Sequence, residues 1–190
     1  MAETAQKMHE EAVALFRAGQ YEAARQKLEE ALTQTADEHK QAEIYNDLGV
    51  ICKELEDFNA ARTALDEAMT RFTRLDDKKG QGQTLGNRAA LLEAEEAYEE
   101  AVEAYKQSAA LLSEAGENEM AMYAWQAVSR LRMKQKRYIE AIGAYEEGVE
   151  KMPNRSFKKK VLQNILKIPG SMLGGGRRAD DEEDEEEDKD

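Results

Sequence analysis

Few side chains in this 190-residue chain have the types and spacing that catalysis requires. Its two histidines, His9 and His39, lie about thirty residues apart and belong to no HExxH or Cys/His pattern, so they predict no zinc site. Its one cysteine, Cys52, falls on the apolar side of a predicted helix. A buried structural thiol is expected there rather than a nucleophile. No GxxxxGK[ST] phosphate-binding loop is present either.

Carboxylates are abundant but are not arranged as a general acid–base pair. The densest group within the body of the chain comprises Glu93, Glu95, Glu96, Glu99 and Glu100, and such a run is typical of a solvated helix face. We therefore expect no catalytic residue, no metal site and no cofactor, and the function is expected to be binding.

Charge and hydropathy restrict the setting in which the chain works. The single cysteine excludes a disulfide framework, and no apolar run approaches the roughly 20 residues of a membrane span. The segment Met1–Thr4 begins no apolar stretch, so no secretory signal is expected. Together these features predict a cytoplasmic protein. Residues 180–190 hold ten carboxylates and one lysine, or −9 of the net charge of −13.

Nucleic acids and membranes are not favoured as partners. Phosphate binding relies on clustered Lys and Arg, whereas this chain is acidic and its basic residues cluster only at 155–160. That cluster lies on a predicted amphipathic helix, 154–168, which alternatively could dock on an anionic surface. We predict instead that its apolar side covers the end of the preceding helices.

A set of residue types recurs along the chain at a period near forty. An aromatic residue follows each short polar corner, an alanine comes three residues later, a large residue four further on, and a small residue three beyond that. The aromatics are Tyr21, Phe58, Tyr98 and Tyr138, the alanines Ala24, Ala61, Ala101 and Ala141, the large residues Leu28, Leu65, Tyr105 and Tyr145, and the small ones Ala31, Ala68, Ser108 and Gly148. Steps of three and four lie on one face of a helix.

A second amphipathic segment precedes each aromatic, so each copy reads as a hairpin of two helices. Polar stretches at 35–40, 76–82 and 115–118 predict the linkers between hairpins, and Gly80 and Gly82 are assigned to the second of them. Gly19 is assigned to the corner of the first hairpin. No stretch shows the alternation typical of a strand, and the chain is predicted to be all-α.

The fourth copy is similar to the tetratricopeptide repeat. Its residues Trp125, Val128, Ser129, Tyr138, Ala141, Tyr145 and Pro153 follow the pattern W-x2-L-G…A-x3-F…P with conservative changes. Glu11 and Arg88 depart from it at a leucine place, and Arg132 at an aromatic one. The long period resembles the repeats of kinesin light chains and cell-polarity adaptors. A plain helical bundle is the alternative fold.

The resemblance implies a right-handed superhelical solenoid of four helical hairpins, with a tetratricopeptide domain over residues 4–168. Its repeats are expected at 4–37, 41–77, 81–116 and 120–153, followed by a capping helix at 154–168. Residues 169–190 are expected to be a flexible, glycine-containing linker and an acidic disordered tail, because nothing apolar in 180–190 offsets the entropy of ordering.

Members of the family bind ligands on the inner faces of the first helices of their repeats. Carried over to this sequence, the resemblance implies a concave groove that contains Asn46, Asp47, Val50, Lys53, Gln83, Asn87, Tyr123, Gln126, Arg130 and Lys134. Asn46 and Asn87 would hold a peptide backbone, because an amide both donates and accepts. Tyr123 would stack, Arg130 and Lys134 would attract acidic side chains, and Glu43 with Asp47 would favour a basic ligand end.

The expected function is that of a non-catalytic adaptor or scaffold, which binds a protein or an extended peptide in this groove as a monomer. A receptor for the acidic carboxyl-terminal tails of chaperones is not favoured, since the cations that would clamp a terminal carboxylate are missing. Two alternatives stay open. The acidic tail could shield basic clients in the manner of a chaperone, or the open ends of the solenoid could stack into a self-assembling structure.

Overall fold

The computed structural model describes residues 2–150, and within them the chain forms eight α-helices and no strand. The all-α prediction is confirmed. The helices are α1 (Ala2–Arg17), α2 (Tyr21–Thr33), α3 (Glu38–Glu54), α4 (Phe58–Arg74), α5 (Lys78–Ala94), α6 (Tyr98–Glu114), α7 (Asn118–Lys134) and α8 (Tyr138–Glu150).

Successive helices pair as four hairpins, α1–α2, α3–α4, α5–α6 and α7–α8. Each helix from α3 to α7 has 17 residues and is followed by a three-residue connection, which produces the 40-residue period. Helix α2 has only 13 residues, and the four residues 34–37 come after it. The shorter first interval of 37 residues therefore comes from one missing helical turn and one extra linker residue.

The recurring positions form the contacts within and between hairpins. The alanines three residues after each aromatic, Ala24, Ala61, Ala101 and Ala141, are at most 1% exposed. The large residues of the stripe, Leu28, Leu65 and Tyr105, are buried as well, and Tyr145 is half-buried. Small side chains let the helices approach, and the large ones fill the space between them, as their spacing predicts.

Most connections end the preceding helix in the same way. One residue in six of the seven connections within 2–150 has a positive φ between 52° and 79°, and these residues are Gly19, Glu56, Asp76, Glu96, Gly116 and Lys136. At the corner of the second hairpin, Asp57 N donates to Cys52 O at 2.9 Å and Glu56 N donates to Lys53 O at 3.0 Å. This Schellman arrangement satisfies carbonyls at the end of α3 and turns the chain back on itself.

The linker predicted over 76–82 is wrong, because α5 already begins at Lys78 and the connection is only residues 75–77. Gly80 and Gly82 are buried within α5. A Cβ atom at Gly82 would lie 2.7 Å from Leu112 Cγ, and one at Gly80 would overlap the ring of Phe72. Here glycine allows neighbouring helices to approach closely rather than allowing the chain to turn.

Of the departures from the repeat pattern, Arg132 is the one that the fold buries. Its side chain is 7% exposed, and Nη1 lies 2.8 Å from Glu99 Oε1 while Nε lies 3.2 Å from Glu140 Oε2. Nη1 also donates to Gln135 Oε1 at 2.7 Å. Thus the cation replaces apolar packing with ion pairs to α6 and α8. Glu11 and Arg88, by contrast, are exposed.

Three predictions concern the edges of the repeats and the C-terminal part of the chain. The first helices begin two or three residues before the expected repeat starts. The capping helix at 154–168 and the linker and tail at 169–190 lie outside the described residues. No helix within 2–150 combines the length and apolar character needed to cross a bilayer.

Candidate functional site

The first helices of the four hairpins line a common groove with a volume of about 1000 Å³. Residues of the second helices α4 and α6 also line this groove. The lining consists of Gln6, His9, Glu10, Val13 and Arg17 of α1, Lys40, Glu43, Asn46 and Asp47 of α3, Gln83, Gly86, Asn87 and Ala90 of α5, Met120, Tyr123, Ala124 and Ala127 of α7, and Phe72, Tyr105, Ser108 and Leu112. Five of the predicted site residues are among them: Asn46, Asp47, Gln83, Asn87 and Tyr123.

Two amides pair at the centre of this groove. Asn87 Nδ2 on α5 donates to Asn46 Oδ1 on α3 at 3.0 Å, and both side chains are half-buried. An amide group has two N–H donors and one carbonyl acceptor. The pair therefore keeps both N–H groups of Asn46, and one N–H and the carbonyl of Asn87, for a further partner. These are the groups that an extended peptide backbone can bond.

Charged residues concentrate where α1 faces α3. His9 Nε2 lies 2.7 Å from Asp47 Oδ2, and Lys40 Nζ lies 3.5 Å from His9 Nδ1. Lys40 also forms an ion pair with Glu43. The cluster joins the first two hairpins through side chains that line the groove, so a charged ligand here meets groups that are already partnered.

The α7 side of the groove is less charged. Tyr123 is 57% exposed, and its hydroxyl donates to Glu119 Oε1 at 3.3 Å. Gln83 Nε2 on α5 lies 3.6 Å from Met120 Sδ on α7. With Ala124 and Ala127 beside them, these side chains offer an exposed aromatic ring next to small residues. Such a surface suits stacking against a ligand side chain or peptide plane.

The other predicted site residues do not line this groove. Val50 lines a second, smaller cavity. Lys53 forms an ion pair with its neighbour Glu54, and Lys134 Nζ donates to Tyr98 Oη at 2.8 Å and lies 4.3 Å from the centre of its ring. Gln126 is half-buried on α7 outside the lining.

Arg130 is likewise outside the lining and binds Glu93 through two hydrogen bonds, one of them 2.8 Å from Nη2 to Oε2. This guanidinium lowers the pKa of Glu93 below the ordinary value. Burial, and then the nearby Glu93 carboxylate, raise the pKa of Tyr105 to about 12. Both groups consequently keep their usual charge at neutral pH, with Glu93 ionised and Tyr105 neutral.

Cys52 is buried at 3% exposure, as its position on the apolar stripe predicts. Burial raises the pKa of its thiol. A thiol with a raised pKa forms little thiolate at neutral pH and is a poor nucleophile.

Several lining residues were not singled out from the sequence. Lys40 lies one turn before Glu43, which was expected to favour a basic ligand end, and Arg17 lies one turn after Val13, another lining residue of α1. Phe72, Tyr105 and Leu112 belong to second helices, which the resemblance does not assign to the groove. Only the three-dimensional path of α4 and α6 shows that they reach it.

A family model described as tetratricopeptide repeat matches residues 3–74 and 40–114, which is more than half of the chain. The chain belongs to the tetratricopeptide repeat family. Tetratricopeptide repeats generally mediate protein–protein interactions, and the fold is typically non-catalytic. No curated protein matches the chain significantly.

Solved structures share this tetratricopeptide fold. A signal transduction ATPase with numerous domains from Pyrococcus horikoshii, which has a tetratricopeptide repeat sensor, is 21% identical with a TM-score of 0.71 over 83% of this chain. This chain covers 24% of that protein, or about a quarter of its length. BtubC (BKLC) from P. vanneervenii is 18% identical with a TM-score of 0.61, over 98% of this chain and 71% of that one.

Proposed function

We propose that this tetratricopeptide repeat protein is a non-catalytic adaptor that holds an extended peptide segment of a partner protein in the groove. The observation that carries the proposal is the half-buried Asn46–Asn87 pair in a groove of about 1000 Å³ that all four first helices line. The pair bridges two hairpins and leaves backbone-compatible donors and an acceptor unused.

The proposed mechanism uses the groove in three parts. The amide pair bonds the ligand main chain and is insensitive to its side chains. Tyr123 stacks on the α7 side, and the carboxylates of Asp47 and Glu43 on the α3 side would meet a basic ligand residue only on release from His9 and Lys40. Arg130 and Lys134 would meet acidic ligand residues only on release from Glu93 and Tyr98. Because the fold already positions these groups, binding orders few of them, and an affinity of about 1 μM, or −8 kcal/mol, is expected.

The test is selection of a display library of random 12-residue peptides on the full chain, with affinities then measured by calorimetry. Asn87→Ala should weaken the affinity for the selected peptides about tenfold, which corresponds to about 1.4 kcal/mol for lost hydrogen bonds between uncharged groups. Asn59→Ala is the matched control, since Asn59 is exposed on α4 and does not line the groove. Equal affinities for both variants would contradict binding through the amide pair.

A chain ending at Arg178 separates the groove from the acidic tail. If the selected peptides bind this shorter chain as they bind the full one, the groove is sufficient. Binding that needs residues 180–190 would instead favour a tail that shields basic clients. Concentration-dependent light scattering tests the proposed monomeric state against self-assembly, and fractionation of the native cell tests the proposed cytoplasmic location.

A further inference from the structure

A second cavity, with a volume of about 260 Å³, lies between α1, α2 and α3. Six apolar residues line it: Ala12, Val13, Phe16, Leu28, Val50 and Ile51. Two charged residues, Arg17 and Asp47, complete the lining. We call this cavity the anchor pocket.

The anchor pocket is continuous with the groove. Val13, Arg17 and Asp47 line both cavities, so they stand where the smaller one opens into the larger. An extended chain that runs along the groove past Asp47 can therefore direct one side chain into the pocket. A cavity of about 150 Å³ lined by Leu, Ile and Phe is large enough to bind benzene. The anchor pocket has room for a leucine, methionine or phenylalanine side chain.

The charged residues at this opening differ in whether they already have an ion-pair partner. Asp47 already binds His9 at 2.7 Å, and Lys40, the other cation of the lining, is paired with Glu43. Arg17 is exposed at the end of α1 and forms no ion pair with any residue in 2–150. A guanidinium with no partner beside an apolar pocket favours a carboxylate next to an apolar side chain.

We propose that the anchor pocket is a specificity subsite for one large aliphatic or aromatic side chain of the bound peptide, and that Arg17 binds an acidic residue next to it. The proposal rests on the proposed function, since it assigns a sequence preference to the peptide in the groove. The amide pair then supplies affinity that any sequence obtains, and the anchor pocket selects among sequences.

The experiment begins with the same 12-residue library. The selected peptides are synthesised with an amidated C-terminus, so that only their side chains carry carboxylates. The hits should share a Leu, Ile, Met or Phe beside an Asp or Glu. Val50→Phe fills the pocket without altering the groove, because Val50 lines the pocket and does not line the groove. It should weaken the hits at least tenfold, as expected for exclusion of one large apolar side chain. Val50→Ala, which leaves the pocket open, should stay within about threefold of wild type.

Arg17 is tested by a charge reversal with a matched control. Arg17→Glu should weaken the hits about tenfold at low salt and less at 0.5 M salt, whereas Arg17→Lys should stay within about threefold. Because Arg17 is exposed, these variants fold even if Val50→Phe does not. Methyl NMR of the wild-type chain provides a second readout, in which the hits should shift Val50 and Ile51 signals.

Failure of this proposal can be told apart from failure of the proposed function. Hits that lose affinity with Asn87→Ala but bind Val50→Phe and Arg17→Glu as they bind wild type would overturn the anchor pocket alone. A library that yields no hit sensitive to Asn87→Ala would overturn the groove function and the pocket with it. A synthetic peptide of residues 169–190 that displaces the hits would assign the pocket to the chain's own C-terminal segment and so overturn a partner as its occupant.

Discussion

The left-handed residues of the helix corners predict how to stabilise the solenoid. Glu56, Asp76, Glu96 and Lys136 have φ values between 52° and 62°, in a region that costs a residue with a Cβ atom roughly 1–2 kcal/mol. Their side chains are exposed and form no hydrogen bond or ion pair within residues 2–150. Replacement by glycine therefore removes strain, and the only interaction it removes within residues 2–150 is the charge attraction of Glu96 to Lys134.

The size of the gain is set by two opposing terms. Glycine avoids the strain but loses about 0.5–1 kcal/mol more conformational entropy on folding, so each substitution should stabilise the protein by about 0.5–1 kcal/mol. The four corners share no partner, and their effects should add. The quadruple glycine variant should gain about 2–4 kcal/mol, which raises Tm by about 4–15 °C in a chain of this length.

The assay is urea unfolding followed by circular dichroism, supported by calorimetry. Two reference variants set the scale. Gly116→Ala should cost about 1 kcal/mol, because Gly116 has a φ of 79°. An added Cβ would meet nothing within 4 Å, so this cost comes from backbone strain and not from a clash. Ala110→Gly, at an exposed site inside α6, should also cost about 1 kcal/mol, which shows that glycine is not stabilising everywhere.

A specific pattern of results would refute this reasoning. If Gly116→Ala is neutral and the quadruple variant is no more stable than wild type, the corners do not hold their residues in the left-handed region. If the single corner variants destabilise the protein as much as Ala110→Gly does, the entropic cost of glycine exceeds the strain that it relieves. Either result would require a different account of how these helices end.

Three further predictions concern packing and charge. Gly80→Ala should destabilise the protein by about 1–3 kcal/mol, because the added Cβ overlaps the ring of Phe72. Gly143→Ala, whose added Cβ meets nothing within 4 Å, should stabilise it by about 0.5–1 kcal/mol. If urea unfolding gave both variants a change in unfolding free energy of the same sign, the close approach at Gly80 would be contradicted. Arg132→Met should change stability by about 1 kcal/mol or less, since the acidic partners of the buried guanidinium are about half exposed and return to water, and a loss of 3 kcal/mol or more in the same assay would refute this. The bond from Arg130 lowers the pKa of Glu93, so its stabilisation is present above the ordinary value of 4.5 and is lost as the pH falls through the lower folded-state pKa. The Tm values of wild type and Arg130→Gln should therefore converge in acid, and a constant difference from pH 6 to pH 3 would contradict the pairing.

The sequence was sufficient to predict the hairpins because their positions repeat. The buried alanines Ala24, Ala61, Ala101 and Ala141 recur at one spacing, and four copies in register define the helical face that must be buried. Gly80 and Gly82 were misassigned because glycine has two opposite uses. A local pattern cannot distinguish a turn from a helix position against which Phe72 and Leu112 pack, since both contacts come from other helices.

The groove was predicted less completely than the fold. The family resemblance placed Asn46 and Asn87 on inner faces, and their hydrogen bond shows that these faces meet across two hairpins. The same resemblance placed Arg130 there, but this side chain turns to Glu93, 37 positions earlier. A long side chain selects among carboxylates that only the folded structure brings within reach. Charged positions at a groove edge are consequently the least predictable from the sequence.

The hydrogen bond between Asn46 and Asn87 also shapes the thermodynamics of any ligand exchange in the groove. A main chain that bonds the unused amide groups leaves this bond in place, whereas a chain that inserts between the two residues must break the 3.0 Å bond and form two in its stead. Insertion forms two bonds but loses the one between the amides, so its net gain is one bond. A ligand that bonds the unused groups keeps the amide bond, and it gains more enthalpy than a ligand that separates the pair. Calorimetric heats would thus distinguish two registers of the same peptide that have equal affinity.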